Sequence, residues 1–497
     1  MKKYIFYILA LGYSISLSSC DKFLDEQPKF SLTELNAVTN AATARAALGG
    51  VYASFQNDEW SGALYTTLAT KAGFVKYGGE VIYGLSYKQT AMPSTLNSIY
   101  TQFYRTLNAA NFAVKGIEGL SAAAVSEVEK DKLLAEAKCL RAWVNANILW
   151  NWCHWWADDS SEFGLIDRME PTALTNVEVA RVSVGESYKR IYDDLDFAIS
   201  KLDSYTTPRF MSKEFAKVLK AKVLLYRGGY KNNTADLQQA LTLVNDVLDN
   251  HPASFKMESS LDEVYNKSWD SPENLFVRYL EDDGSRTSKS GYWYRYGIIY
   301  QGNALPLPVG GSLTAGLVYG LDWFSADPRW PIVTGPVRAP ETWDTANRFT
   351  FKKVARLGQY AGQQANPKDE KYAAYYFRFP ELYLMKAELL ARTGKSINES
   401  IAPVNQMRAL RTSPVLPALN PTTQEELMDM IFKEIFVELF LENGSEFFAA
   451  LRFQKNGEPW MNTIKGGMRF EENHLCFPLP DAEIVNNPKM VQNPDLK

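Results

Sequence analysis

The sequence is poor in the residues that build metal and redox sites. It holds four cysteines, at positions 20, 139, 153 and 476, and no two form a CxxC pair. That spacing offers neither a thiolate metal cluster nor a disulfide framework. Cys139, Cys153 and Cys476 are therefore expected as small buried apolar residues. The three histidines, His154, His251 and His474, show neither HxH nor HxxxH spacing, so zinc chemistry lacks a ligand set. No cofactor and no metal are expected. Basic charge is also short, since 53 Lys and Arg against 57 Asp and Glu leave a net charge of -4. A nucleic-acid partner needs a basic face to neutralise phosphates, and the composition argues against one. Patterns such as GxSxG, HExxH and the P-loop do not occur, which removes the common signatures of hydrolases and nucleotide binders.

A long hydrophobic run is missing as well. The apolar stretch Tyr4 to Leu17 falls short of the ~20 residues a membrane span requires. Lys2 and Lys3 precede it and Leu17-Ser18-Ser19-Cys20 follows, the layout of a secretory signal. Small residues directly before a cysteine resemble a bacterial lipobox. Residues 1–19 then read as a lipoprotein signal peptide and Cys20 as the lipidated first residue of the mature chain. Each buried methylene of an acyl chain contributes ~0.8 kcal/mol, and two or more chains hold a soluble domain on a bilayer.

Aromatic side chains, by contrast, are plentiful: 13% of the residues, with twelve Trp. Much of the chain carries a helical period. Leu133, Ala137, Leu140, Val144, Ile148 and Trp152 recur at three- and four-residue steps across 127–152. In 183–202, Ser183 and Glu186 read as a capping box, followed by Tyr188, Ile191, Leu195 and Ala198 on one face. Phe215, Leu219, Val223 and Tyr226 continue the theme, with Gly228-Gly229 expected to stop that helix. Segments 237–248, 377–411 and 424–442 follow suit, Gly394 and Asn398 marking a tight turn. VLLYRGGYKNNTADLQQALTLVNDVL (223–248) and LMKAELLARTGKSINESIAPVNQMRAL (384–410) each read as helix, turn, helix, the unit of a tetratricopeptide array. The expected fold is mainly α: helix pairs as a scaffold, interrupted by an irregular, aromatic-rich insertion with a few short strands.

That insertion spans 255–372. It divides a helical part over 20–254 from a second over 373–497 within a single domain. Gly, Pro and aromatics are dense in it, and a similar loop-rich stretch covers 56–93 with Trp60, Tyr65, Tyr77, Tyr83 and Tyr87. Long irregular segments in compact proteins are usually functional. GYWYRYGIIY (291–300) concentrates five aromatics in ten positions. As an extended segment it puts Tyr292, Tyr294 and Tyr296 on one side and Trp293 and Arg295 on the other. An aromatic face suits the C–H face of a sugar, and an arginine or phenol suits its hydroxyl rim. Trp293, Tyr296, Arg295, Tyr83 and Tyr77 are the candidate ligand contacts. Core packing is the competing role for the same rings.

Several segments, in order along the chain, resemble one family. They are the lipobox with CDKFLDEQP, LLAEAKCLRAWV (133–144), LKAKVLLYRGGY (219–230), FRFPELYLMKAELLARTG (377–394), VNQMRALR (404–411) and FPLPDAEIVNNPKMVQNP (477–494). Together they are similar to the SusD/RagB family of nutrient-binding outer-membrane lipoproteins of Bacteroidetes. IFKEIFVELFLENGSEFFAALRF (431–453) departs from the family pattern. It keeps Glu434, Glu438, Glu442 and Arg452, but Ile435, Glu446 and Ala449 replace two arginines and an aspartate. That block reads as an ion-pair lattice between helices. The resemblance implies four tetratricopeptide pairs, a ligand site in the irregular region and a SusC-like TonB-dependent transporter as partner. It also implies a lipid anchor in the outer membrane with the protein exposed at the cell surface.

A glycan is the expected ligand, and no enzymatic activity is expected. A peptide, as in the RagB branch, is the alternative, and a helical glycoside hydrolase or lyase is a third reading. A glycosidase uses two carboxylates, and Asp158-Asp159, Asp193-Asp194 and Asp282-Asp283 are adjacent pairs. In so acidic a chain such pairs arise by chance, and they are expected to be solvated charges.

Overall fold

The computed structural model describes residues 37–55, 58–60, 62–72, 74, 94–281, 298–300, 315–316, 322–336, 348–351, 371–464 and 471–496. The chain opens with helices α1 (Ala41–Ser54), α2 (Gly62–Ala72) and α3 (Ser94–Glu118). It continues through α4 (Glu127–Trp152), α5 (Val184–Lys201), α6 (Lys213–Lys231), α7 (Thr234–Asn250) and the short α8 (Leu261–Lys267). The middle segment contributes β1 (Asn274–Glu281), β2 (Ile298–Tyr300), β3 (Ala315–Gly316), α9 (Asp322–Ser325), α10 (Trp330–Val333), β4 (Thr334–Pro336), β5 (Arg348–Phe351) and β6 (Lys371–Arg378). Helices α11 (Pro380–Arg392), α12 (Ile397–Arg408), α13 (Gln424–Leu439) and α14 (Ser445–Arg452) follow. The hairpin β7 (Gln454–Lys455) and β8 (Glu458–Pro459), then α15 (Trp460–Ile464) and α16 (Asp481–Asn486), complete the described elements. The fold is mainly helical.

Four antiparallel pairs, α1/α3, α4/α5, α6/α7 and α11/α12, form the scaffold, and each pair packs on the next. Helix α4 shows why they hold together. Ser126 caps it by accepting a hydrogen bond from the Glu129 amide, and Glu127 and Glu129 lie in its first turn, where a negative charge suits the helix dipole. Beyond Leu133 it is apolar around most of its circumference, so it runs buried between its neighbours instead of lying on the surface. Trp143 near its middle meets Phe276 and Tyr376 edge-on, at centroid distances of 5.2 Å and 4.7 Å.

Several expectations change here. Gly228-Gly229 does not stop α6, which runs on to Lys231 and ends at Asn232 with φ 56°. The glycines permit close packing: a Cβ on Gly228 would come within 2.8 Å of the Asp236 side chain, and one on Gly229 within 3.1 Å of Arg452 Cδ. Ser183 caps α5 as expected, but Glu186 bonds Arg190 at 2.8 Å. Gly394 does sit in the turn, with φ 79°, whereas Asn398 lies inside α12 and Ser396 with Glu399 forms the capping box. Phe377 and Arg378, read as the start of a helix, end strand β6. Part of the 56–93 loop is helix α2, because Leu64, Leu68 and Ala72 recur at four-residue steps. Trp60 and Tyr65 are core residues, and Trp60 stacks on Phe103 at 3.7 Å.

The remaining cysteines are buried and unpaired. Burial pushes the Cys153 thiol up to about 11 and that of Cys476 up to about 12, which makes them poor nucleophiles.

Candidate ligand-binding region

A two-stranded stem flanks the segment 282–370 in the chain. β1 and β6 pair antiparallel, with Val277 opposite Tyr375 and Glu281 opposite Lys371. Over 274–278 and 373–378 the stem is buried on both faces: Phe276 and Tyr376 enter the main core, while Val277, Ala373 and Tyr375 pack with Trp269 in a separate cluster. A ribbon covered on both sides is a rigid base for whatever it carries.

Its two scaffold ends are clamped by charge. Arg378, at the end of β6, reaches Glu273 at 2.7 Å, Glu438 at 3.1 Å and Glu442 at 2.6 Å. Arg411 reaches Glu273 at 2.6 Å and Glu438 at 3.0 Å. All five side chains are at most 1% exposed. Burial works against the charge on Arg378, but Glu442, Glu438 and Glu273 outweigh it and hold the guanidinium above its ordinary range. The block expected as an ion-pair lattice is therefore one. A second node joins Glu388 to Arg452 at 2.7 Å and to Arg392 at 2.8 Å. Burial alone would raise the Glu388 carboxyl, but Arg452 and Arg392 hold it below its usual range. The departures from the family pattern fit this setting. Ile435 and Ala449 are buried apolar residues, and Glu446 accepts from the Leu441 amide at 3.1 Å, bracing a residue held at φ 60°.

A further anchor lies within the segment itself. Arg329, fully buried, bonds Asp327 at 2.8 Å and Glu434 of α13 at 2.7 Å, and Glu434 is also paired with Arg408. Phe324 packs on Phe436 and Phe440, and Trp323 meets Phe436 at 5.4 Å. From here α10 runs straight into β4. β4 pairs with β5, β5 with β2, and β2 with β3, giving a four-stranded sheet. β2 is the last part of GYWYRYGIIY, so the expected extended form holds for Ile298–Tyr300.

The candidate contacts Trp293, Arg295, Tyr296, Tyr77 and Tyr83, and the lipidation candidate Cys20, lie outside the described residues. Elsewhere the abundant tryptophans have another role. Trp60, Trp143, Trp150, Trp152, Trp155, Trp156, Trp269 and Trp460 are buried, whereas Trp323 and Trp330 are half-buried. Most of the tryptophan signal in the sequence is helix packing.

The acidic pairs divide as well. Asp158 and Asp159 are exposed and paired with Lys231 and Arg227. Asp194 is a correction: it is buried, held by two 2.8 Å bonds from Arg141. Asp282-Asp283 lies outside the described residues. Among the described residues, no three His, Cys, Asp or Glu side chains converge to hold a metal ion, and no helix is long and apolar enough to cross a membrane.

Comparison with known proteins accords with this architecture. A family model described as the SusD family matches residues 329–495. Another, described as starch-binding associating with outer membrane, matches residues 22–225. A SusD-like protein of Bacteroides ovatus is 24% identical over 60% of this chain, and the match spans only 51% of that protein's length. SusD-like protein P38 of Formosa agariphila is 22% identical over 99% of both chains. The solved structure of a laminarin binding SusD-like protein superposes with a TM-score of 0.68 at 20% identity, covering 92% of this chain and 99% of that one. Matched at both ends by family models and along its length by relatives, and built on the same helical fold, the chain belongs to the SusD/RagB family.

Proposed function

We propose that this protein binds glycans at the surface of the outer membrane, held there by lipid on Cys20, and delivers them to a SusC-like TonB-dependent transporter. The observation that carries the reading is the aromatic-rich segment between the third and fourth helix pairs, set on a buried stem and a buried arginine anchor. Such a base fixes a platform, and preorganisation lowers the cost of binding. One matching family model is described as starch-binding and associating with outer membrane, and a relative of the same fold is described as laminarin binding. A binder held at the surface cannot itself carry cargo across a membrane, which makes a separate transporter necessary.

The test of the site is Trp293→Ala in the soluble chain beginning after Cys20. Maltohexaose, laminarihexaose and a mixture of peptides are titrated into both proteins. Loss of at least tenfold in hexaose affinity, about 1.4 kcal/mol, with an unchanged melting temperature is the expected result. A core residue would instead cost ~3–5 kcal/mol of stability, and binding would fall only with the fold. Binding of peptides but no hexaose would overturn the glycan reading.

The anchor is tested separately. In cells fed a fatty-acid analogue, the wild-type chain should take up label, whereas Cys20→Ala should remain unlabelled, soluble and folded. Label on the variant would rule out Cys20 as the lipidated residue.

A further inference from the structure

A crevice of about 550 Å³ opens between α1, the first turns of α4 and the loop joining α5 to α6. On its rim stands Phe210, 51% exposed. It is the only exposed Phe, Tyr or Trp side chain among the residues whose burial is described. Burial of aromatic surface is favourable, so a ring half exposed to water forgoes part of a stabilisation that the other rings obtain.

The exposure does not come from a loose loop. Tyr205 donates its hydroxyl to the Asn274 carbonyl at 2.9 Å. The Val277 amide donates to the Pro208 carbonyl at 3.1 Å, and the Met211 amide donates to the Tyr52 hydroxyl at 2.8 Å. Two of these bonds tie the loop to β1, the strand that leads into the aromatic-rich segment. Tyr52 then sets the ring, meeting Phe210 edge-on at 5.4 Å and 82°.

The polar half of the crevice is equally defined. Tyr52 donates its hydroxyl to Glu136 Oε1 at 2.6 Å. Glu136 makes no other hydrogen bond among the described residues, which leaves Oε2 available as an acceptor. Thr206 and Thr207 line the opposite side. Arg45 is paired with Glu129, and Lys132 with Asp203 at 2.8 Å. Two cations thus face three carboxylates once Glu136 is counted, and the crevice repels anions. Leu48, Leu133, Leu202 and Met211 also line the crevice, so apolar surface lies beside its polar groups. An aromatic face beside acceptors and hydroxyls suits a ring with one C–H face and a rim of hydroxyls.

We propose that this crevice is an additional saccharide site, which seats one neutral sugar ring against Phe210 and accepts a sugar hydroxyl at Glu136. The proposal rests on the glycan-binding reading and extends it to a second position on the scaffold.

Fluorine NMR of the soluble chain with a fluorine-labelled Phe210 reads this position alone. Maltohexaose or laminarihexaose should shift the Phe210 signal saturably, and an oligogalacturonate of the same length should not. Glu136→Gln should raise the midpoint at least threefold without changing the melting temperature. If a hexaose binds the protein while the Phe210 signal stays fixed, the second site is wrong and the glycan-binding reading stands. If neither hexaose binds at all, both fall. An equal response to oligogalacturonate would overturn the assignment to neutral sugars.

Discussion

Arg378→Met is expected to lose about 3–5 kcal/mol of folding free energy, the usual cost of breaking a buried ion pair from one side. Native domains keep only about 5–15 kcal/mol in total, so this one change should bring the protein close to unfolding. Among the described residues of the native cluster, Glu273, Glu438 and Glu442 face Arg378 and Arg411, three negative charges against two positive ones. The variant leaves three against one. Adding Glu442→Met leaves two against one, which restores the native imbalance and removes the carboxylate that Arg378 had bonded through two nitrogens. The double variant should therefore regain at least about 2 kcal/mol of the loss, because apolar residues often replace a buried ion pair at little cost.

Urea unfolding of wild type, single and double variants measures both the loss and its recovery. A single-variant loss below about 1 kcal/mol would show that the lattice does not hold the stem.

How legible this was from the sequence depended on the range of the forces involved. Helix α4 lies where its period placed it, over 127–152, because its cap and apolar spacing are local. Helix pairs α6/α7 and α11/α12 were readable for the same reason. Strand β6 was not: KYAAYYFR is a short apolar run, which periodicity alone cannot assign to strand or helix. Its partner β1 stands some hundred residues earlier, so nothing nearby reveals the pairing. Asp194 looked like a surface charge because Arg141, which neutralises it, sits on the preceding helix. The cluster of rings in GYWYRYGIIY pointed to a ligand platform, yet a large ring serves a core equally well, and composition alone cannot separate the two uses. Phe210 went unnoticed for the opposite reason, since a lone Phe in a short loop has no pattern around it. Only the packing around that loop shows that the ring has been left outside.

The second large effect concerns Arg329, the link between the scaffold and the sheet that ends GYWYRYGIIY. In Arg329→Met, Glu434 keeps Arg408 as a partner, so no carboxylate is stranded on α13. Asp327, 15% exposed, loses its cation. The cost should sit near the low end for a buried pair, about 3 kcal/mol, and fall on the segment 322–336. Local opening that is easier by this amount means amide hydrogen exchange on the order of 100-fold faster there, while α4 exchanges at its native rate. In the native protein, burial alone would raise the Asp327 carboxyl, but its hydrogen bonds with Arg329 outweigh this and hold it below the usual range. A depressed carboxyl stabilises the fold above its unfolded pKa, ~3.9 for Asp, and loses that contribution as pH falls through the folded value. Protection of 322–336 should therefore persist from neutral pH to about 4 and fail only in stronger acid, a limb the variant should lack. Because α10, β4, β5 and β2 form one connected path to Ile298–Tyr300, hexaose affinity should drop at least tenfold with the anchor. If exchange in 322–336 accelerates only in step with α4, Arg329 is part of the global core, and the segment has no local hold on the proposed ligand platform.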